Sequence, residues 1–556
     1  MARTSQRWRL GLLGVVASAL VAWPASAFGK PVPPKPATAE EAAWTYLADR
    51  AAACLGREDP LCVEALLPEF AKVAPPGAVS VDYLRGVAHF LAGRFADAQA
   101  ILTLVAGHTT ASRDLREKAE SWIELAEATA GVLQPAKAHR LAGGRVVAWI
   151  RPGPDEVLIA YLDAVLAKTL PRLEAAFGPA TAPLTLHVYP RADDLARVSG
   201  LTIQQIRTSG TIALCKHNRL MLTSPQDLVF GYAWADTVAH EMVHWFVIKR
   251  GGPQVPVWLH EGLARSLQGV WRGAAPEDLD KDEREIAAWA RKHKKFVPLE
   301  RMYPSMALLP SQQETQLAFA EVHHAVTWTL QRAAQRQGRT VEQAQGAGEW
   351  VALFGQGLDE NATLVRMLGV GMAGFQQAWR KDWQKLELRD APEGANRRPL
   401  LVFRNVPGVD ELRPATPQAR RFAELGDRFA VLKRPLAAAI EYRKALAAGP
   451  QEGPLLVARL VRVLLDLGKV VEALEYLQPA REAFPDHAPL QVLAGRAAVL
   501  RSQWKDALES LEKAAWLNPY DPQVHALAAQ AHAALGQEGE AAAARGRLAL
   551  VESAGL

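Results

Sequence analysis

The chain has 556 residues, with Lys+Arg 64 against Asp+Glu 59 and a formal balance of +5. Without Arg3, Arg7 and Arg9, which precede a cleavage signal, 61 bases face 59 acids, too even for the concentrated basic surface that nucleic-acid binding needs. A hydrophobic share of 49% with 22% charged excludes a disordered chain, and three cysteines exclude a disulfide scaffold and a four-cysteine zinc site.

Arg7 and Arg9 lead into an apolar run from Leu10 to Ala22, and Ala25-Ser26-Ala27 follows. That order is a basic n-region, an apolar h-region and an Ala-x-Ala site, so residues 1-27 read as a signal peptide cut after Ala27. The run would span only about 20 Å as a helix, short of a bilayer core of roughly 30 Å. The expectation is an exported protein, in the periplasm or secreted, with no transmembrane segment in the mature chain. Residues 28-39, with Pro31-Val32-Pro33-Pro34, form a stiff proline-rich leader.

From 40 to 140 the sequence is Ala/Leu-rich with helical spacing, and Tyr83 to Ala98 reads as one helix-turn-helix repeat. Cys54 and Cys62 lie eight positions apart in this helical region; both a disulfide between them and two buried thiols fit, and Cys215 is left over. Residues 141-387 are mixed. Val146 to Ile150, Leu184 to Tyr189 and Ile212 to Thr223 read as strands, Asp155 to Phe177 as a helix, and the stretch from Trp234 to Trp383 as mostly helical. A linker is expected over 388-420. In 421-556, Pro450, Pro485 and Pro519 recur at a period near 34. Alanines sit five residues before them (Ala445, Ala480, Ala514) and twelve before (Ala438, Ala473, Ala507). This period and its small residues resemble the tetratricopeptide repeat (TPR), a stack of helical hairpins whose concave face holds peptides or protein partners.

The chemistry-bearing motif is His240-Glu241-Met242-Val243-His244, an H-E-x-x-H within a helical stretch ended by Gly251-Gly252-Pro253. Residues i and i+4 share one helix face, so both imidazoles can reach one metal ion with Glu241 beside them as a base. A second helix follows with Trp258-Leu259-His260-Glu261-Gly262-Leu263-Ala264. H-E-x-x-H followed by W-L-x-E-G-x-A resembles the gluzincin zinc metallopeptidases, and within them the peptidase MA-like domains. The resemblance covers roughly Gly144 to Leu386.

This resemblance implies an α+β metallopeptidase domain, a small mixed sheet with helices, flanked by α-helical TPR-type repeats. It implies one Zn2+ per chain on His240, His244 and Glu261, with Glu241 as general base. It also implies that the strand before the motif helix pairs with an extended substrate. His260 competes with Glu261 as the third ligand, but sits about 100° around the helix from it. Asp236, four residues before His240, is a candidate to orient an imidazole. Many gluzincins stabilise the oxyanion with a Tyr or His some sixty residues beyond the third ligand; His323 stands in that window, with Tyr303 a weaker candidate. The expected function is an exported zinc-dependent peptidase whose repeats recruit a protein substrate or partner. The alternative is a non-catalytic envelope TPR scaffold with a degenerate peptidase-like domain.

Overall fold

A computed structural model describes residues 39–553 apart from 75–77, 181, 230, 274–278, 339–345, 389–400, 405–415 and 449–452. The signal-peptide reading and almost all of the proline leader lie outside the described residues. The described residues begin with five helices, α1 (Ala39–Gly56), α2 (Pro60–Val73), α3 (Val79–Leu91), α4 (Phe95–Gly107) and α5 (Arg113–Leu133), each packed on the next. Cys54 and Cys62 form a disulfide with Cα atoms 5.6 Å apart, which ties the end of α1 to the start of α2.

A five-stranded sheet follows. Its strands are β1 (Lys137–Leu141), β2 (Val146–Ile150), β3 (Leu184–Tyr189), β4 (Ala213–Lys216) and β5 (Arg219–Thr223), in the order β1-β2-β3-β5-β4. The inner pairs β2-β3 and β3-β5 are parallel, whereas β1 and β4 run antiparallel at the two edges. Helix α6 (Leu158–Phe177) makes the crossover from β2 to β3. Two short helices, α7 (Ala192–Ser199) and α8 (Ile203–Ser209), lead to β4.

The single strand expected over 212–223 is a hairpin instead. His217 and Asn218 both adopt left-handed backbone (φ 58° and 61°), the geometry of a two-residue turn whose twist matches the strands it joins. Leu220 to Thr223 are wholly buried, and the apolar run hides the polar turn from a pattern reading. Strand β1 escapes the sequence reading because Lys137-Ala138-His139-Arg140 is polar and largely exposed, as an edge strand tolerates.

Helix α9 (Trp234–Gly251) packs across α6, β4 and β5, and α10 (Val257–Leu267) packs on it in turn. Then come α11 (Lys281–Lys292), α12 (Gln312–Gln337), α13 (Ala347–Gly355), α14 (Glu360–Leu368) and α15 (Met372–Trp383). The last eight helices form four hairpins: α16 (Pro417–Val431) with α17 (Pro435–Ala448), α18 (Pro454–Asp466) with α19 (Val470–Ala483), α20 (Ala488–Leu500) with α21 (Trp504–Leu517), and α22 (Pro522–Ala534) with α23 (Glu538–Glu552). The repeat alanines Ala438, Ala473, Ala507 and Ala541 are fully buried between them.

A close-packing rule recurs in these hairpins. A methyl group added at Gly426 would lie 2.5 Å from Tyr442, and one at Gly495 would lie 2.6 Å from Leu511. The same pair recurs in the N-terminal unit, where a methyl at Gly86 would meet Leu102 at 2.6 Å. In each case a fully buried alanine (Ala438, Ala507, Ala98) stands one helical turn before the larger residue. The N-terminal helices and the C-terminal repeats therefore solve helix approach with the same residue pattern, the one TPR-type hairpins use. Among the described residues, no helix is long and apolar enough to cross a membrane.

Candidate metal centre

Helix α9 is buried on almost every side, with Trp234, Val238, Ala239, Met242, Val243, Phe246 and Val247 in the core. Polar side chains in such a helix need partners, because an unpaired buried polar group costs about 1–3 kcal/mol. His240 and His244 meet on one face, with their Nε2 atoms 3.1 Å apart. Helix α10 brings Glu261 to the same point: its Oε2 lies 3.2 Å from His240 Nε2 and 3.4 Å from His244 Nε2.

Gly262 makes that approach possible. A methyl there would sit 2.5 Å from the Val322 carbonyl oxygen and 2.4 Å from the Val326 side chain on α12, so only glycine lets α10 and α12 pack this closely.

The three donor atoms form a nearly equilateral triangle. Ligands about 2.1 Å from a tetrahedral zinc ion are separated by about 3.4 Å, close to the observed edges of 3.1, 3.2 and 3.4 Å. The donor set also fits by chemistry, since two imidazole lone pairs and one carboxylate oxygen converge where a cation would neutralise their mutual repulsion. His240, Glu241 and His244 likewise offer ligand atoms within 4.8 Å of one another. Of the two carboxylates, Glu261 is the better third ligand because one of its oxygens is close to both imidazoles at tetrahedral spacing. Glu241 then stands beside the triangle, with its Oε2 buried and unpartnered.

The electrostatics separate these two carboxylates. Burial pushes Glu241 up to about 7, with His244 opposing the shift and Glu261 adding to it. Burial would raise Glu261 as well, but His244 and the hydrogen bonds from both imidazoles hold it well below the usual carboxylate range. Burial drives His240 down to about 4. At His244 burial also opposes the charge, yet the Glu261 carboxylate outweighs it and the net shift is upward.

The neighbours occupy distinct places. His260 does not join the triangle; its Nδ1 lies 3.4 Å from His244 Nδ1, on the far side of that ring. Asp236 touches neither imidazole. Its carboxylate accepts from Trp271 Nε1 and Arg272 Nη2, both at 2.7 Å, because the turn after α10 folds those residues over the start of α9.

His323 pairs through Nδ1 with Glu283 Oε2 at 2.9 Å, while its Nε2 is buried without a partner. Glu283 also accepts from Arg265 Nε and Nη2 at 3.0 and 2.6 Å. Phe319 links this cluster to the triangle, since its ring lies 6.0 Å from that of His240 and beneath the Arg265 guanidinium. Glu283 is not legible as a site residue in the sequence, because it lies in a charged helix start that reads as solvated. Tyr303 is 56% exposed.

No family model matches this chain, and no curated protein matches it. Among solved structures it is similar to a thermophilic TPR protein of Thermus thermophilus, at 25% identity over 24% of this chain and 75% of that one, with a TM-score of 0.23. It is also similar to MamA of Desulfovibrio magneticus, at 22% identity over 26% of this chain and 80% of that one, again with a TM-score of 0.23. The repeat character stands on the stacked hairpins and their glycine–alanine packing.

Proposed function

We propose that this chain is an exported zinc-dependent peptidase of gluzincin type set within TPR-type helical repeats. The observation that supports it best is the triangle of His240, His244 and Glu261, with edges of 3.1, 3.2 and 3.4 Å and Glu241 beside it. A zinc ion held there would supply Lewis acidity toward a peptide carbonyl and lower the pKa of water. Glu241 takes the proton of the attacking water and delivers it to the leaving amine. Glu261 stays ionised and keeps its charge on the two imidazoles. An extended peptide lies along β4, the sheet edge next to α9. His323, held by Glu283, is the candidate to face the oxyanion, and the repeats recruit the protein substrate or partner.

The deciding experiment measures zinc content and peptide hydrolysis on purified protein, wild type beside Glu241→Gln. One zinc per chain in both, with cleavage in wild type alone, supports the peptidase. A second reading, a non-catalytic TPR scaffold, draws on the helical hairpins that flank the sheet domain on both sides. Zinc in both without cleavage of any peptide favours that reading, and absence of zinc from both removes the metallopeptidase altogether.

A further inference from the structure

Glu58 brings the N-terminal helices to the candidate site. Glu58 sits in the short link between α1 and α2, buried and in left-handed backbone at φ 50°. Its carboxylate accepts the backbone N–H of His217 at 2.8 Å and that of Asn218 at 2.6 Å, so it closes the β4–β5 turn from outside. Two successive turn amides make a concavity suited to an anion. The Glu58 carbonyl oxygen accepts from Lys249 Nζ at 2.6 Å, near the C-terminal end of α9.

One residue thus holds both elements whose separation sets the site. Strand β4, with Cys215 on it, packs against α9, and α9 carries Glu241 itself. The Cys54–Cys62 disulfide closes the segment that bears Glu58. Asn218 Nδ2 bonds to the Leu91 carbonyl at 3.2 Å, and Arg219 Nη2 bonds to the Phe90 carbonyl at 2.7 Å, so the same hairpin is gripped a second time by α3.

We infer that Glu58 is a positioning residue of the site: it fixes the edge hairpin β4–β5 against α9, the helix that carries Glu241. The N-terminal helical unit is then part of the machinery of the cleft. The inference rests on the peptidase reading only for the chemical meaning of Glu241; the clamp itself is tested without turnover.

The test is amide hydrogen exchange on the full-length mature chain loaded with zinc, comparing wild type, Glu58→Ala and Glu58→Gln, with zinc content measured in parallel. Removing a charged acceptor from the two turn donors should speed exchange over 213–219 by about tenfold in Glu58→Ala, with protection of 240–247 and zinc content unchanged. Glu58→Gln keeps a neutral acceptor and should fall between the two. If Glu58→Ala does not fold, Glu58→Gln decides by the same local pattern. Unchanged exchange over 213–219 in a folded variant overturns the inference, as does loss of protection spread evenly through α9. Where cleavage is measurable, kcat should fall in Glu58→Ala with the bound zinc retained. A chain inactive in every form but showing the local exchange change would sink the peptidase and leave the clamp standing.

Discussion

Trp516, near the end of α21, holds its ring 5.8 Å from that of Trp234, the first residue of the motif helix α9, with the two planes tilted by 31°. Tyr161 and Trp271 complete the cluster, at 5.1 and 4.8 Å from Trp516. Nearby, Tyr520 and Ser224 both donate to the buried Asp155 carboxylate, at 2.5 and 2.6 Å. The C-terminal repeats are therefore docked on the sheet domain where α9 begins. Trp516→Ala should destabilise the chain by about 2–4 kcal/mol, through lost burial and an open cavity. Thermal unfolding should show a lower first transition, and limited proteolysis should release the repeats early. An unchanged transition would show that the aromatic cluster does not hold the two parts together.

The ligand triangle makes a prediction about metal alone. In Glu261→Gln the charged oxygen is replaced by a neutral one, so the remaining set binds a divalent ion with a smaller electrostatic gain. Zinc affinity should fall by at least about tenfold, whereas His260→Ala should retain one zinc, because His260 faces the other nitrogen of His244. Competition with a chromogenic chelator measures both. Equal loss in the two variants would make His260 a ligand and displace Glu261 from that role.

Much of this site is legible in the sequence, for a local reason. H-E-x-x-H fixes its geometry through helix periodicity, and Glu261-Gly262 carries both a ligand and the residue that lets α10 approach α12. Contacts between distant segments are not legible in that way. Glu58 finds His217 and Asn218 across 159 and 160 positions, and no spacing announces the pair. Asp236 shows the converse. Its position one turn before His240 suggests an imidazole partner, but Trp271 and Arg272 take it once the turn after α10 folds back.

Glu241 should give the metal-free protein a distinct pH response. Its folded pKa, about 7, lies above the unfolded carboxyl value near 4.5, so the folded state holds the proton more tightly. The stability it contributes is fully present below about pH 4.5 and is lost as pH rises through about 7. Glu241→Gln stays neutral and removes that dependence. Between pH 5 and pH 8 metal-free wild type should lose stability relative to Glu241→Gln, by on the order of 3 kcal/mol at most. Denaturant unfolding at several pH values tests this, and a constant difference between the two proteins would contradict it.

The repeat packing rule predicts opposite signs for two glycine substitutions within the C-terminal helices. At Gly495 a new methyl would meet the Leu511 side chain at 2.6 Å, inside a hairpin whose neighbouring alanines are fully buried. Gly495→Val should force the helices apart and cost about 1–3 kcal/mol. At Gly539, in α23, a methyl would meet nothing within 4 Å. Gly539→Ala should stabilise its helix by up to about 1 kcal/mol, because alanine is the better helix former and restricts the unfolded chain. Thermal or denaturant unfolding of the two variants decides the matter. If Gly495→Val were as stable as wild type, the close approach of α20 and α21 would not depend on the missing side chain. The kinship in packing between the N-terminal unit and the C-terminal repeats, drawn from Gly86 and Leu102, would then lose its physical basis.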